Sequence, residues 1–127
     1  MSIQENQFQA CVEEPKVFFA RIRDRETGDP LDPTSVTGIR YSVYSLGLLD
    51  GQRKESISGH QKVSVPLETL TETIATCPVF PSGYNFRFAP DCRTSPLFPR
   101  AGKFEVCFLM SLKIGNPILL TYRFTVE

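Results

Sequence analysis

The C-terminal stretch RAGKFEVCFLMSLKIGNPILLTYRFTVE, residues 100–127, decides the fold. In its first half Phe104, Val106, Phe108 and Met110 fall on one face and Lys103, Glu105, Cys107 and Ser111 on the other, which is the period of two of a half-buried strand. In its second half Ile118, Leu120, Tyr122, Phe124 and Val126 alternate in the same way with Leu119, Thr121, Arg123 and Thr125. Residues 113–117 supply the turn between them: Gly115 and Asn116 tolerate positive φ, and Pro117 discourages a continued ladder at the start of the return strand. An antiparallel hairpin follows. A slip of one residue would turn about five large apolar side chains out to water, at roughly 1.5–3 kcal/mol for each fully exposed one, so the register is strongly specified.

Outward from the hairpin, the same alternation recurs in short pieces. Residues 16–24 place Phe18, Ala20 and Ile22 against Val17, Phe19, Arg21 and Arg23, and the turn formers of residues 25–33 stop that strand. Two Asp-Pro steps, at Asp29 and Asp32, impose extended geometry, with room for one helical turn over residues 33–36. In residues 38–46, Ile39, Tyr41, Val43 and Ser45 oppose Arg40, Ser42, Tyr44 and Leu46, so that Tyr44 and Leu46 form an outward apolar pair and a candidate contact surface. A polar loop over residues 47–59 carries Leu48 and Leu49 before its Asp50-Gly51 tip.

Residues 60–66 read as a short edge strand with Val63 and Val65 inward and Pro66 ending the ladder. Residues 67–76 are ambiguous: Leu67, Leu70 and Ile74 have helical spacing, and four threonines argue equally for extended chain. Tyr84, Phe86 and Phe88 share a face opposite Asn85 and Arg87, and core packing explains that aromatic stripe better than a stacking platform for bases or sugars. A proline-rich connection, residues 89–100, carries Leu97 and Phe98 into the hairpin. Residues 1–15 read as an arm, with Phe8 and Val12 as its apolar contacts, that either orders against a neighbour or frays.

A chain of 127 residues suits one domain, here residues 16–127 after the arm. Ten Pro and eight Gly, with ten Phe and four Tyr, favour many short strands and turns over long helices, so the class is all-β. Fourteen basic and fourteen acidic residues cancel, and no basic stripe interleaves with aromatics, which argues against a nucleic-acid partner. No apolar run reaches the length of a membrane span, and the N-terminus lacks the pattern of a secretory signal, so synthesis in a cytoplasm is expected.

Cys11, Cys77, Cys92 and Cys107 show no C-x-x-C spacing, and His60 is the only histidine, so reduced thiols are expected rather than a metal site. Under oxidation Cys77 and Cys92 are the pair to join. No nucleophile–base pair or phosphate loop is present, and His60 lacks an orienting partner in sequence, so neither catalysis nor a cofactor is expected. Asp24 and Glu26 read as solvating a turn, and only convergence of Asp24, Asp29 and Asp32 on an ion would revive a calcium site.

Gly102, Phe104 and Val106, closed by residues 122–126, resemble the Gly-x-aromatic-x-aliphatic entry into the last two strands of immunoglobulin-like and fibronectin-III-like sandwiches. The resemblance covers about 28 residues and implies a single antiparallel β-sandwich of about seven strands. The absence of Trp, of cysteines at the inter-sheet positions and of a tyrosine at Phe104 separates it from antibody-type domains.

The wider succession, residues 18–22, 38–44, 83–87 and the Gly102 hairpin, looks like that of small structural proteins of tailed bacteriophages and prophages. That resemblance implies a non-enzymatic virion component, a capsid decoration protein or a neck or tail accessory subunit. Its partners would be capsid, portal, neck or tail proteins, bound in symmetric copies by the arm, loop tips and strand edges. The expected contacts are Phe8, Val12, Tyr44, Leu46, Leu48, Leu49, Leu97 and Phe98. The alternative is a carbohydrate- or protein-binding module, which would need Tyr44 or Tyr84 open to solvent.

Overall fold

A computed structural model describes residues 2–3, 9–13, 17–24, 26–78, 80–91, 93 and 96–126. The expected hairpin forms from β9 (Gly102–Leu112) and β10 (Ile118–Val126), antiparallel, with Met110 opposite Ile118 and Phe104 opposite Phe124. Strand β4 (Val36–Leu46) pairs antiparallel along the other side of β9, Tyr41 facing Phe108. Two short strands, β5 (Arg53–Ser56) and β6 (Val63–Val65), share the far edge of β4, and β1 (Ser2–Ile3) lies parallel to β10 at Ile118 and Leu119. The second sheet runs in the order β2 (Gln9–Glu13), β3 (Val17–Arg21), β8 (Phe80–Phe88), β7 (Leu70–Cys77). The chain is therefore all-β, two sheets stacked as a sandwich, with short 3-10 turns at Pro33–Ser35 and Leu67–Thr69.

The core is where the inward stripes meet. Phe108, from the centre of β9, has Phe18 at 5.4 Å and Phe86 at 5.3 Å between ring centroids, both edge-on and both from the opposite sheet. Tyr41, Phe88 and Tyr122 complete its surroundings. Edge-to-face pairs of this kind add about 0.5–1.5 kcal/mol each beyond the area they bury, so the aromatic stripes hold the sheets together as well as filling the space. Tyr122 also donates its hydroxyl to the Phe19 carbonyl at 2.7 Å, a polar tie across the core. On β8, Asn85 is buried and replaces a ladder rung: its Oδ1 accepts from the Ile22 N–H and its Nδ2 donates to the Ile22 carbonyl, both at 2.7 Å.

Several expectations change. Ten strands are present among the described residues rather than about seven, because β1, β2 and β5 were not legible as strands. Much of the segment read as an arm is drawn into the sheets: β2 lies antiparallel to β3, Val12 opposite Phe18, so its backbone groups are satisfied by a neighbour its own polar sequence does not advertise. The ambiguous residues 67–76 become one 3-10 turn followed by β7, extended as the threonines favoured. Tyr84 leaves the Phe86 face. The β7–β8 register shifts between Leu70 and Ala75, and Tyr84 turns outward onto Phe19 at 4.9 Å between centroids.

His60 is buried and shares a 2.6 Å hydrogen bond with the Tyr41 hydroxyl. Its backbone carbonyl accepts from Val43 N–H, and Val43 carbonyl in turn accepts from Ile57 N–H, which fills the gap in the β4 ladder between β5 and β6. A structural anchor is the role this geometry gives it.

Candidate functional site

The β4–β5 connection is a tight loop. Gly47 N–H donates to Gln52 carbonyl at 2.8 Å, Gly51 N–H to Gly47 carbonyl at 3.0 Å, and Gln52 N–H to the Asp50 carboxylate at 3.0 Å. Gly51 takes φ +66, which a side chain would resist. Closed in this way, the loop holds out Leu48 and Leu49 at 66% and 103% exposure, and Lys103 Nζ reaches the Leu48 carbonyl at 3.3 Å from β9. An ordered loop that presents two adjacent leucines to water is an apolar ridge.

Beside the ridge, four side chains form a row across the outer face of the larger sheet. Glu105 on β9 stands opposite Tyr44 on β4 and opposite Arg123 on β10. Arg53 from β5 lies 4.2 Å above the Tyr44 ring and passes over it to Glu105. Its Nε and Nη2 both reach Glu105 Oε1, at 2.8 and 2.6 Å, and Arg123 Nε donates to Oε2 at 3.1 Å. Glu105 is only 3% exposed, whereas the side chains of Arg53 and Arg123 are 49% and 65% exposed. Partial burial works against the Arg53 charge, and its hydrogen bond to Glu105 together with that carboxylate's charge outweighs it, so the pKa moves up. Beside the row on β9, burial pushes the Cys107 thiol up, which keeps it protonated.

A cleft of about 400 Å³ opens here, lined by Asp50 and Arg53 from the loop side, Glu105 from β9, and Leu119, Thr121 and Arg123 from β10. On the other flank of the ridge a cleft of about 230 Å³ is bounded by Leu46, Leu48, Glu55, Arg100 and Lys103, with Arg100 and Glu55 paired at 3.7 Å.

Of the expected contacts, Leu48 and Leu49 stand in the open and Tyr44 is half-buried under Arg53. Leu46 is buried: a register shift between Ser45 and Leu46 breaks the alternation, and both residues lose solvent. Leu97 is likewise buried in the core, and Phe98 packs on Phe104 and Phe124 at 5.1 and 5.3 Å. The connection thus turns Leu97 into the core and leaves Phe98 half-buried on its edge. Phe8 and the side chain of Val12 lie outside the described residues.

Tyr44 and Tyr84, which a sugar platform would need, are taken by Arg53 and Phe19. Asp24 and Asp32 cap the local turns, accepting from Glu26 N–H at 2.8 Å and Thr34 N–H at 2.9 Å. Among the described residues no group of three or more His, Cys, Asp or Glu is placed to hold a metal. Cys77 and Cys107 are free thiols, while Cys92 lies outside the described residues.

Reading the sequence missed the Arg53–Glu105–Arg123 row. Its signal was the hairpin register, which sets Glu105 beside Arg123; nothing in sequence placed Arg53, 52 residues from Glu105, on the same carboxylate. Among the described residues no helix is long and apolar enough to cross a membrane. Comparison of the chain with known protein families, curated proteins and solved structures finds no match.

Proposed function

We propose that the chain is a non-enzymatic structural protein of a phage-like virion, made in the host cytoplasm and attached in several copies to a capsid, neck or tail through the ridge at residues 47–52. The observation that carries this reading is the hydrogen-bonded presentation of Leu48 and Leu49. Ordering two leucines in water forgoes roughly 1.5–3 kcal/mol each that burial against a partner would recover, and symmetric copies multiply such a contact into durable attachment. The strand order supports an immunoglobulin-like or fibronectin-III-like sandwich: β4, β9 and β10 correspond in order to one sheet of that fold, and β2, β3, β8 and β7 to the other. Such a frame leaves loops and outer faces for recognition.

The test is to express the tagged chain in its native genetic context, purify it, and image the product by electron microscopy. Copies repeated at symmetric positions on a particle are expected, and Leu48→Ser/Leu49→Ser should strip them while changing the stability of the isolated chain by no more than about 0.5 kcal/mol. A chain that stays monomeric and travels with no particle, or a double variant that assembles normally, overturns the reading. Recovery with one soluble protein in place of a particle would make the chain a protein-binding module.

A further inference from the structure

We propose that the cleft between Arg53 and Arg123 is a carboxylate-binding site that receives an acidic residue of a partner protein. The proposal rests on the docking reading for the kind of partner and on the geometry alone for the chemistry.

Two guanidiniums share one carboxylate, so the row carries a net charge of +1 from Arg53, Arg123 and Glu105. Glu105 is buried beneath the arginines and its two oxygens are taken. The arginines are not used up. A guanidinium has five N–H donors. Arg53 commits Nε and Nη2 to Glu105, and Arg123 commits Nε alone, which leaves Nη1 of the first and both terminal nitrogens of the second without a protein acceptor among the described residues. Both side chains border the same cleft of about 400 Å³, which is room for a side chain with several waters at about 30 Å³ each. Glu105 holds both guanidiniums in place and Tyr44 supports one from below, so little side-chain entropy remains to be lost on binding. A planar carboxylate matches such pre-set donors.

Asp50 narrows the choice. It lines the same cleft, which brings the formal charge of the whole lining to zero and weighs against a multiply charged anion such as phosphate. Leu48 and Leu49, immediately before Asp50 on the ridge, would meet an apolar residue next to the acidic one. The occupant fitted by these features is an acidic residue flanked by an apolar one in an exposed segment of a partner.

The test uses the free chain, labelled with nitrogen-15, and three probes: the capped tetrapeptide Leu-Glu-Leu-Glu, its Gln counterpart Leu-Gln-Leu-Gln, and inorganic phosphate. At about 1 mM the Glu peptide should shift the Arg53 and Arg123 Nε–H signals and the Thr121 amide, at least about tenfold more tightly than either other probe. Arg123→Gln should weaken that binding by about tenfold, while Arg93→Gln, at an unrelated surface pair, should leave it unchanged. Equal binding of the Gln peptide, equal or tighter binding of phosphate, or no shift at these signals overturns the proposal, and none of these outcomes depends on a variant folding. Peptide binding that survives failure of the particle experiment would sink the virion reading and keep the site.

Discussion

Glu105 shows how much one side chain can demand of its neighbours. A carboxylate withdrawn from water loses several kcal/mol of solvation, and it is tolerated here because two arginines place three N–H groups on its oxygens. Glu105→Gln keeps the shape but turns an amide N–H toward a guanidinium and removes the counter-charge. The arginines remain half in water, which discounts the loss, so urea unfolding should show about 1–3 kcal/mol less stability. No change would mean that the row is ornamental.

Asp91 is the opposite case, an exposed carboxylate whose pKa is lowered to about 2 by side-chain and backbone hydrogen bonds from Arg93. Because the folded value lies below the ordinary 3.8, the pair contributes stability above that pH and loses it as pH falls through about 2. Carbon-detected titration of Asp91 should give the low midpoint, and Arg93→Gln should return it toward 3.8. An unchanged midpoint in the variant would refute Arg93 as the cause.

At the scale of elements, β7 and β8 depart from plain alternation, and Gly83 is the reason they can. β7 advances five positions, from Leu70 to Ala75, while β8 moves only two, from Phe86 to Tyr84. Ile74, within that bulge, sits over Gly83: a Cβ there would fall 2.3 Å from the Ile74 methyl, and the residue holds φ +101. Gly83→Ala should therefore cost about 2–4 kcal/mol from overpacking and backbone strain together. Adding Ile74→Ala should recover the packing part, read by thermal melting of the three proteins. If the single variant melts like the parent, the bulge is not closed as described. Alternation alone had put Tyr84 beside Phe86, because a bulge leaves no period of its own in the sequence.

For the whole molecule, the N-terminal segment joins the two sheets, with β1 on the edge of β10 and β2 on the edge of β3. Deleting residues 1–14 uncovers the β3 edge, from which β2 is removed. A loss of about 2–3 kcal/mol is expected, on the order of 10 °C in melting temperature for a chain of this size, with concentration-dependent association in sedimentation. A free arm would leave both unchanged.

By itself the sequence determined the all-β class, the β9–β10 register, the inward faces of β3 and β4, and the stop at residues 25–33. Each is a local matter: side chains of one strand sort between oil and water with a period of two, and turn residues act where they stand. Only the tertiary structure decided that residues 2–3 and 9–13 become strands, that Leu46 and Leu97 are buried, and that Arg53 and Arg123 meet on Glu105. Those outcomes depend on which chain segment lies alongside, at separations of 52 and 18 residues for the two arginines. A backbone edge, a place in the core and a buried charge all take their partners from space, and no period along the chain records that choice.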